Sequence, residues 1–291
     1  MGNLRYHARG IFALFTLLLP LHPAFADTVE AKLPTGIVAT ADFRAGQPSR
    51  PAILLLHGFL QTRHAPPMSS LANTLADQGY TVLIPTLSFD INRRSKSLSC
   101  EASHPHNLES DVSEIGFWVD WLAGKGLRNI VLIGHSSGSL QILEYLVKMP
   151  NPAVRKAILT SLIPIISDRS ERQHTLDLLR KKPPKAAEQG LGRYTLAYCS
   201  KNYAAPPRAY LSYASVDADR VLANLGKTRV PVEVILGATD TTMDAGWPES
   251  MRSRGVPVTI IEKTGHFFDG AQEFDLTDKV EAVLKSLPTG K

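Results

Sequence analysis

Asn129-Ile-Val-Leu-Ile-Gly-His-Ser-Ser-Gly-Ser-Leu140 is the stretch of sequence that decides the fold. Residues 129–133 are an apolar run that predicts a buried strand, and the apolar spacing after Gly138 predicts a helix that ends at Pro150. Between them, Gly134 and Gly138 flank Ser136 in the pattern G-x-S-x-G. In this context the pattern is typical of a sharp turn that exposes a nucleophilic serine.

The order of strand and helix repeats on both sides of this turn. From about residue 50, short apolar runs alternate with amphipathic segments, which predicts βαβ units and a parallel sheet. The predicted strands are 52–56, 80–85, 129–133, 157–162, 232–236 and 256–261. The predicted helices are 68–78, 108–122 with Asn107 as N-cap, 140–149, 216–225, 247–254 and 274–287.

Residues 165–214 break this alternation. The segment carries Pro183-Pro184 and Pro206-Pro207 and has weak periodicity, so it is interpreted as an inserted cap or long loop. Part of it, 168–185, has six basic residues against three acidic ones. That charge fits either a solvated helix face or a surface that attracts an anionic substrate or a membrane. The tyrosines 194, 198, 203, 210 and 213 either line a pocket or pack the small lobe.

The first 26 residues have the features of a secretory signal peptide. Arg5 and Arg9 precede the apolar stretch 11–21, and Ala24-Phe25-Ala26 ends it with small residues around a larger one. The stretch is too short to span a bilayer, which needs about 20 residues. We therefore expect residues 27–291 to form the mature domain and to be secreted or periplasmic.

Export determines how the two cysteines are interpreted. In an oxidising compartment an even number of cysteines favours pairing, so a disulfide between Cys100 and Cys199 is predicted. Neither residue has a second cysteine at the spacing of a zinc site.

Ser136 needs a base, and the base needs an orienting acid. His266 follows the last predicted strand and Asp240 follows the strand before it, so both should lie with Ser136 at the carboxyl edge of the sheet. Asp244 and Asp217 are alternative acids. The competing histidines, none of which follows the last strand, are His57, His64, His104, His106, His135 and His174.

Two backbone N–H groups are candidates for an oxyanion hole. Ser137 supplies one from the start of the helix, and Phe59 supplies the other from the loop after strand 52–56. Gly58 permits the turn that presents Phe59, and His57 is interpreted as structural, bonding to nearby backbone.

Together these segments resemble the α/β-hydrolase superfamily, over roughly residues 35–288. The motifs are His57-Gly-Phe59, Gly134-His-Ser-Ser-Gly138, Gly237-Ala-Thr-Asp240 and Thr264-Gly-His266. The resemblance implies a mostly parallel central sheet of about eight strands flanked by helices, with a lid inserted after the sixth strand. Segment 165–214 falls at that point. The resemblance leaves the substrate open, because the same triad serves esterases, lipases, thioesterases and peptidases.

The expected function is that of a serine hydrolase acting on a small acyl ester through an acyl-enzyme, without a cofactor. Alternatives are a peptidase or amidase on the same scaffold and a non-catalytic binding relative. A metal-dependent hydrolase using His104 and His106 with Cys100 or Glu101 is disfavoured, because the spacing is loose.

Composition excludes other classes. With 44% hydrophobic residues the chain is not disordered, and 32 basic against 27 acidic residues is too small an excess to indicate a nucleic-acid partner. Without residues 1–26 the counts are 30 and 27, and segment 168–185 alone accounts for the difference. The excess charge is therefore assigned to the lid.

Overall fold

The computed structural model describes residues 27–181 and 190–287, together with Gly2. The rest of the predicted signal peptide, residues 182–189 of the predicted lid and residues 288–291 lie outside the described residues. Within the described part, no helix is long and apolar enough to cross a membrane.

An eight-stranded sheet organises the described part of the chain. Its strands, in spatial order, are β1 Asp27–Lys32, β2 Val38–Arg44, β4 Thr81–Thr86, β3 Ala52–Leu56, β5 Ile130–His135, β6 Val154–Thr160, β9 Val232–Gly237 and β10 Val258–Ile261. The first two pairings, β1 with β2 and β2 with β4, are antiparallel, and the remaining pairings are parallel. The predicted mostly parallel sheet is confirmed.

The described helices are α1 Met68–Asp77, α2 Leu108–Gly124, α3 Ser137–Lys148, α4 Arg169–Lys181, α5 Pro207–Ala214, α6 Ala218–Lys227, α7 Trp247–Arg252 and α8 Gln272–Lys285. Helices outside the insertion cover both faces of the sheet. Alternate residues of β3 point to opposite faces, so Ile53 packs in one core layer with α1 and α8, and Leu54 packs in the other with α2 and α3. Burial on both faces explains why the central strands have continuous apolar sequences.

Several element boundaries differ from the sequence expectations. β6 begins at Val154, not at residue 157, because Val154 pairs with Ile130 on the neighbouring strand. It ends at Thr160, since Ser161 turns out of the sheet with φ of 47°. β1 and β2 were not predicted, and β1 forms a partly exposed edge that lacks the long apolar runs of the central strands.

The insertion is more regular than a long loop. It holds helix α4, the antiparallel hairpin of β7 Gly192–Leu196 and β8 Cys199–Ala205, and helix α5. The rings of Tyr194 and Tyr210 stack 3.9 Å apart, and Tyr203 and Tyr213 are also buried. These four tyrosines therefore pack the lobe, whereas Tyr198 is exposed. The core of the insertion is formed largely by aromatic side chains, which explains the weak aliphatic periodicity of its sequence.

A disulfide ties this insertion to the loop that follows β4. Cys100 and Cys199 are joined, in the predicted pair. Beside the bridge, the Ala204 N–H donates to the Cys100 carbonyl, and the His104 N–H donates to the Ala204 carbonyl. The loop of residues 88–106 and the hairpin are therefore joined by one covalent bond and two backbone hydrogen bonds.

The double variant Cys100→Ser/Cys199→Ser is expected to unfold at lower urea concentration than the wild type. The bridge joins residues 99 apart, and the chain-entropy model assigns a loop of about that size up to roughly 4.7 kcal/mol. Equilibrium unfolding followed by circular dichroism measures the difference. An unchanged midpoint would contradict a stabilising role for the bridge.

Candidate active site

Ser136 lies on a strained turn between β5 and α3. Its φ is 55° and its ψ is −120°, a backbone conformation that residues other than glycine rarely adopt. The two flanking glycines are required by close packing. A Cβ atom on Gly134 would lie 2.7 Å from the Gly138 carbonyl carbon, and one on Gly138 would lie 2.5 Å from the His57 carbonyl oxygen. The turn therefore closes only with glycine at both positions.

The structure brings Ser136, His266 and Asp240 together. Nε2 of His266 lies 2.8 Å from Oγ of Ser136, and Nδ1 lies 2.7 Å from Oδ2 of Asp240. This arrangement suits an imidazole that donates from Nδ1 to the carboxylate and accepts the serine proton at Nε2. Three residues far apart in sequence thus form a continuous hydrogen-bonded chain.

The loops after β9 and β10 hold the acid and the base in position. A Cβ on Gly237 would lie 2.4 Å from the Gly265 carbonyl oxygen, so the two loops are in direct backbone contact. The Thr239 N–H donates to the Thr264 carbonyl. The Ser161 hydroxyl donates to the carbonyl of His266 at 2.6 Å, which ties the histidine loop to the end of β6.

Alternative acids and bases considered from the sequence have other partners or are held neutral. Asp217 caps helix α6 and pairs with Arg172, and Asp244 accepts a backbone bond from Trp247 at the start of α7. His135 is buried beside His266, with ring centroids 5.3 Å apart. Burial and the nearby His266 lower the pKa of His135 to about 3, so it stays neutral.

Thr242 is a site residue that the sequence analysis missed. Its N–H and hydroxyl both donate to Oδ1 of Asp240, and its hydroxyl lies 3.2 Å from Nδ1 of His266. Burial opposes ionisation of Asp240, but the hydrogen bonds from His266 and Thr242 outweigh it and lower the pKa of the carboxyl. The sequence offers one signal for this contact. Thr242 stands two residues after Asp240, and an aspartate side chain commonly accepts from the N–H two residues later in an Asx turn.

The predicted oxyanion donors flank Ser136. Ser137 is the first residue of α3, where a helix leaves its N–H without an intrahelical partner. Phe59 lies in the turn after β3, where the Gly58 N–H donates to the side chain of Gln61. Both residues line the same cavity as Ser136.

His57 is structural, and a buried arginine supports it. The ring bonds the Gly58 carbonyl through Nδ1, and Nε2 accepts from the Leu87 N–H. Arg94, 3% exposed, donates to the carbonyls of Leu87 and Gln61 and lies 3.3 Å from Nε2 of His57. Arg94 comes from the loop after β4, so sequence spacing gave no indication of this contact.

A cavity of about 210 Å³ opens beside Ser136. Its walls are mostly apolar. Apart from residues 58, 59, 61, 136, 137, 242 and 266, the lining consists of Leu140, Ile163, Pro164, Ile165, Ile166, Ala197, Tyr198 and Phe267. Tyr198 stands next to the disulfide, and its hydroxyl lies 3.4 Å from the Phe59 carbonyl. The lid hairpin therefore forms one wall of the cavity and contacts the loop that carries Phe59.

The basic residues of the lid do not line this cavity, among the residues the structure describes. Arg172 pairs with Asp217, and Arg180 pairs with Asp177 on the outer surface of α4. This placement favours the solvated-face interpretation for the described part of segment 168–185.

The residues of the disfavoured metal site have other partners. His104 stacks on Tyr203 with centroids 4.4 Å apart, His106 bonds to Asp111 and Tyr213, and Cys100 is in the disulfide. Over residues 27–181 and 190–287, no group of three or more His, Cys, Asp or Glu is arranged to hold a metal ion.

Residues 53–274 match the sequence model of the alpha/beta hydrolase family. The chain belongs to this family. A bifunctional esterase/perhydrolase of Acinetobacter calcoaceticus is 28% identical over 80 residues, a match that spans 28% of this chain and 28% of that protein.

Solved structures share the alpha/beta hydrolase fold at low identity. The hydrolase GrgF from Penicillium has a TM-score of 0.67 at 14% identity, covering 89% of this chain and 97% of that one. Est1E from Butyrivibrio proteoclasticus has 0.63 at 16%, covering 89% and 99%. A thioesterase domain from the curacin biosynthetic pathway has 0.59 at 16%, covering 90% and 99%. At these identities the likeness establishes the fold alone.

Thr242→Val is expected to slow the reaction of Ser136 with a fluorophosphonate roughly 10-fold to 100-fold. This range corresponds to the free energy of one hydrogen bond to a charged group. Valine keeps the shape of the side chain and the backbone N–H that donates to Asp240, but it lacks the hydroxyl that also donates there. Second-order labelling rates measure the effect, and Thr242→Ser, which keeps the hydroxyl, should restore most of the rate. Equal rates for Thr242→Val and the wild type would show that Asp240 needs no such support.

Glu114 generates a pH-dependent prediction. This carboxyl, on α2, accepts from the N–H and hydroxyl of Ser88 at the start of the loop of residues 88–106. Burial raises the pKa of Glu114 to about 7, against the hydrogen bonds from Ser88.

Because the folded pKa of Glu114 is above its unfolded value, its contribution to stability falls as pH rises from about 4.5 to about 7 and is constant above that. Between pH 5 and 7 the loss should be about 2 kcal/mol. Glu114→Gln should remove this slope in thermal unfolding, whereas the control Glu109→Gln, at an exposed position on the same helix, should keep it. A slope that survives in Glu114→Gln would refute the assignment.

Proposed function

We propose that the protein is an exported serine hydrolase that cleaves small carboxylic esters through an acyl-enzyme. One observation carries the proposal: the chain from Ser136 Oγ through His266 to Asp240, with spacings of 2.8 Å and 2.7 Å, opens onto a small apolar cavity. A histidine with a purely structural role is not expected to hydrogen-bond a serine on a strained turn and also to line a cavity.

Acylation follows from these positions. Ser136 Oγ attacks the ester carbonyl carbon while Nε2 of His266 takes its proton. The resulting imidazolium is stabilised by the Asp240 carboxylate, whose lowered pKa keeps it ionised. The oxyanion of the tetrahedral intermediate accepts hydrogen bonds from the N–H groups of Phe59 and Ser137. Collapse breaks the bond to the leaving oxygen, which receives the proton from His266.

Deacylation uses the same groups. Water enters where the alcohol left, His266 removes a proton from it, and the hydroxide attacks the acyl carbon. The second tetrahedral intermediate collapses to a carboxylic acid as its bond to Ser136 Oγ breaks, and His266 returns the proton to that oxygen. Ser136, His266 and Asp240 then have the protonation states with which the reaction began.

The cavity supports a short, uncharged acyl group. Its volume of about 210 Å³ is below the roughly 300–1,000 Å³ of common small-molecule sites. Burying a charged group against Leu140, Ile163 and Ile165 would be unfavourable. Phe267 and Ile166, both partly exposed, border the cavity and suit an apolar alcohol or thiol portion outside it. The named esterase and thioesterase relatives fit this chemistry.

Export is supported by the sequence of residues 1–26 and by the disulfide, which persists in oxidising compartments. Mass analysis of protein purified from a secretion-competent host should give an N-terminus at Asp27.

The decisive experiment is labelling of the purified protein with a fluorophosphonate. The wild type should be labelled at Ser136 and should hydrolyse p-nitrophenyl acetate and butyrate. Ser136→Ala should abolish labelling and lower kcat by roughly 10⁴-fold to 10⁶-fold, the range for loss of a triad nucleophile. The control Ser137→Ala keeps the backbone N–H and should retain labelling.

A series of p-nitrophenyl esters from acetate to palmitate tests the size of the cavity. kcat/KM should be highest for short chains and fall as the acyl chain outgrows the cavity. A preference for palmitate would contradict the acyl-size proposal, and preference for peptide amides would make the protein a peptidase. A folded wild type that is not labelled at neutral pH would reject the enzyme.

A further inference from the structure

A second, larger concavity lies at the opposite edge of the sheet from Ser136. Its volume is about 1230 Å³, and it is bordered by the residues that precede or begin several strands, from Ala52 of β3 to Pro231 before β9. We call it the amino-edge groove. Its lining includes Arg50, Ala52, Lys125, Arg128, Arg155 and Lys156.

The charge of this groove has one sign. Among its described lining residues are Arg50, Lys125, Arg128, Arg155 and Lys156, and none is Asp or Glu. A chain with 32 basic and 27 acidic residues would place acids and bases together in a groove of this size if their distribution were even. The groove therefore concentrates positive charge.

The topology of the sheet brings these cations together. Arg50 and Arg128 each stand two residues before a strand, β3 and β5, and Arg155 is the second residue of β6. β3, β5 and β6 are neighbours, with Ala52 paired to Ile130 and Ile130 to Val154. Adjacent strands lie about 4.8 Å apart, so three guanidinium groups originate from successive strand starts. Parallel pairing thus aligns cations at one edge as it aligns the triad at the other.

One of the five groove cations is already paired, because Nζ of Lys156 lies 3.2 Å from the carboxylate of Glu233. Another nearby acid, Glu281, pairs with Lys285 at 2.7 Å. Within the described part of the chain, Arg128 and Arg155 have no ion pair, and both are exposed. Their charge is available to a ligand.

Two of the other cations are oriented by aromatic rings. Nζ of Lys125 lies 4.2 Å from the centroid of the Trp121 ring, and the guanidinium of Arg50 lies 4.7 Å from that of Tyr80. A ring face orients a cation without neutralising it. These contacts lower the entropy that each side chain loses when it binds an anion.

We propose that the amino-edge groove binds a ligand that carries phosphate groups. Guanidinium groups bind phosphate through paired N–H donors, and several on one concave surface favour more than one phosphate. Arg128 and Ser136 flank the six residues of β5, a span of roughly 20 Å at about 3.3 Å per residue. The ligand therefore does not reach the triad, and binding is separate from the proposed ester cleavage.

Binding is tested with two phosphate sources on the full mature chain. Tripolyphosphate is titrated by calorimetry, and vesicles of phosphatidylglycerol are tested by co-sedimentation, with phosphatidylcholine vesicles as the uncharged reference. The wild type should bind at least one source, with affinity that falls as salt concentration rises. Tripolyphosphate binding alone identifies a soluble ligand, and vesicle binding alone identifies a lipid headgroup. Binding of both supports recognition of phosphate itself.

Arg128→Glu/Arg155→Glu should weaken this binding at least about 30-fold, since each cation near an anionic surface is worth roughly fivefold. The control Arg169→Glu/Lys279→Glu changes net charge equally at exposed positions on α4 and α8 and should bind as the wild type does. Circular dichroism and fluorophosphonate labelling should be unchanged in the groove variant. If charge reversal prevents folding, Arg128→Gln/Arg155→Gln takes its place and should lose about 30-fold.

Two outcomes would overturn the proposal. One is a wild type that binds neither tripolyphosphate nor phosphatidylglycerol vesicles at low salt. The other is an equal loss of binding in the groove and control variants, because that would reflect net charge alone. Neither outcome depends on whether the protein is an esterase.

Discussion

The close contact between the turn after β5 and the end of β3 is the constraint on which the site depends. Gly138 packs against the carbonyl of His57 with no space for a Cβ atom. The contact holds Ser136 at positive φ and sets the first N–H of α3 beside the Phe59 loop. Helix α3 is buried along most of its length, so it cannot shift to relieve the turn. One packing contact thus positions Ser136 together with the two proposed oxyanion donors.

Around this contact, buried polar groups hold loops that have little apolar surface of their own. Arg94 bridges the carbonyls of Leu87 and Gln61, and Glu114 binds the start of the same loop through Ser88. Buried charges contribute little net stability once desolvation is counted, but they specify one arrangement of the backbone. The disulfide extends this arrangement to the lid hairpin, where Tyr198 meets Phe59.

The two edges of the parallel sheet have separate chemistry. The carboxyl edge presents the serine, the acid and the base, whereas the amino edge presents cations around a groove without acids in its described lining. Counting charges along the chain assigned the basic excess to the lid. In three dimensions Arg172 and Arg180 of the lid have acidic partners. Arg128 and Arg155, which have no ion pair among the described residues, come from sequence segments that show no charge run.

The sequence by itself determined the alternating architecture, the strained turn at Ser136, the positions of Asp240 and His266 after their strands, and the cysteine pair. Each depends on local periodicity, on glycine spacing or on a count, all of which are properties of short segments. Only the tertiary structure decided that Thr242 donates to Asp240, that Arg94 bonds to the loop of residues 58–61, and which tyrosine faces the cavity. It also decided the edge strands β1 and β2 and the alignment of the arginines. These features arise from contacts between segments tens of residues apart, and in such contacts the partner, not the local sequence, selects the role of a side chain.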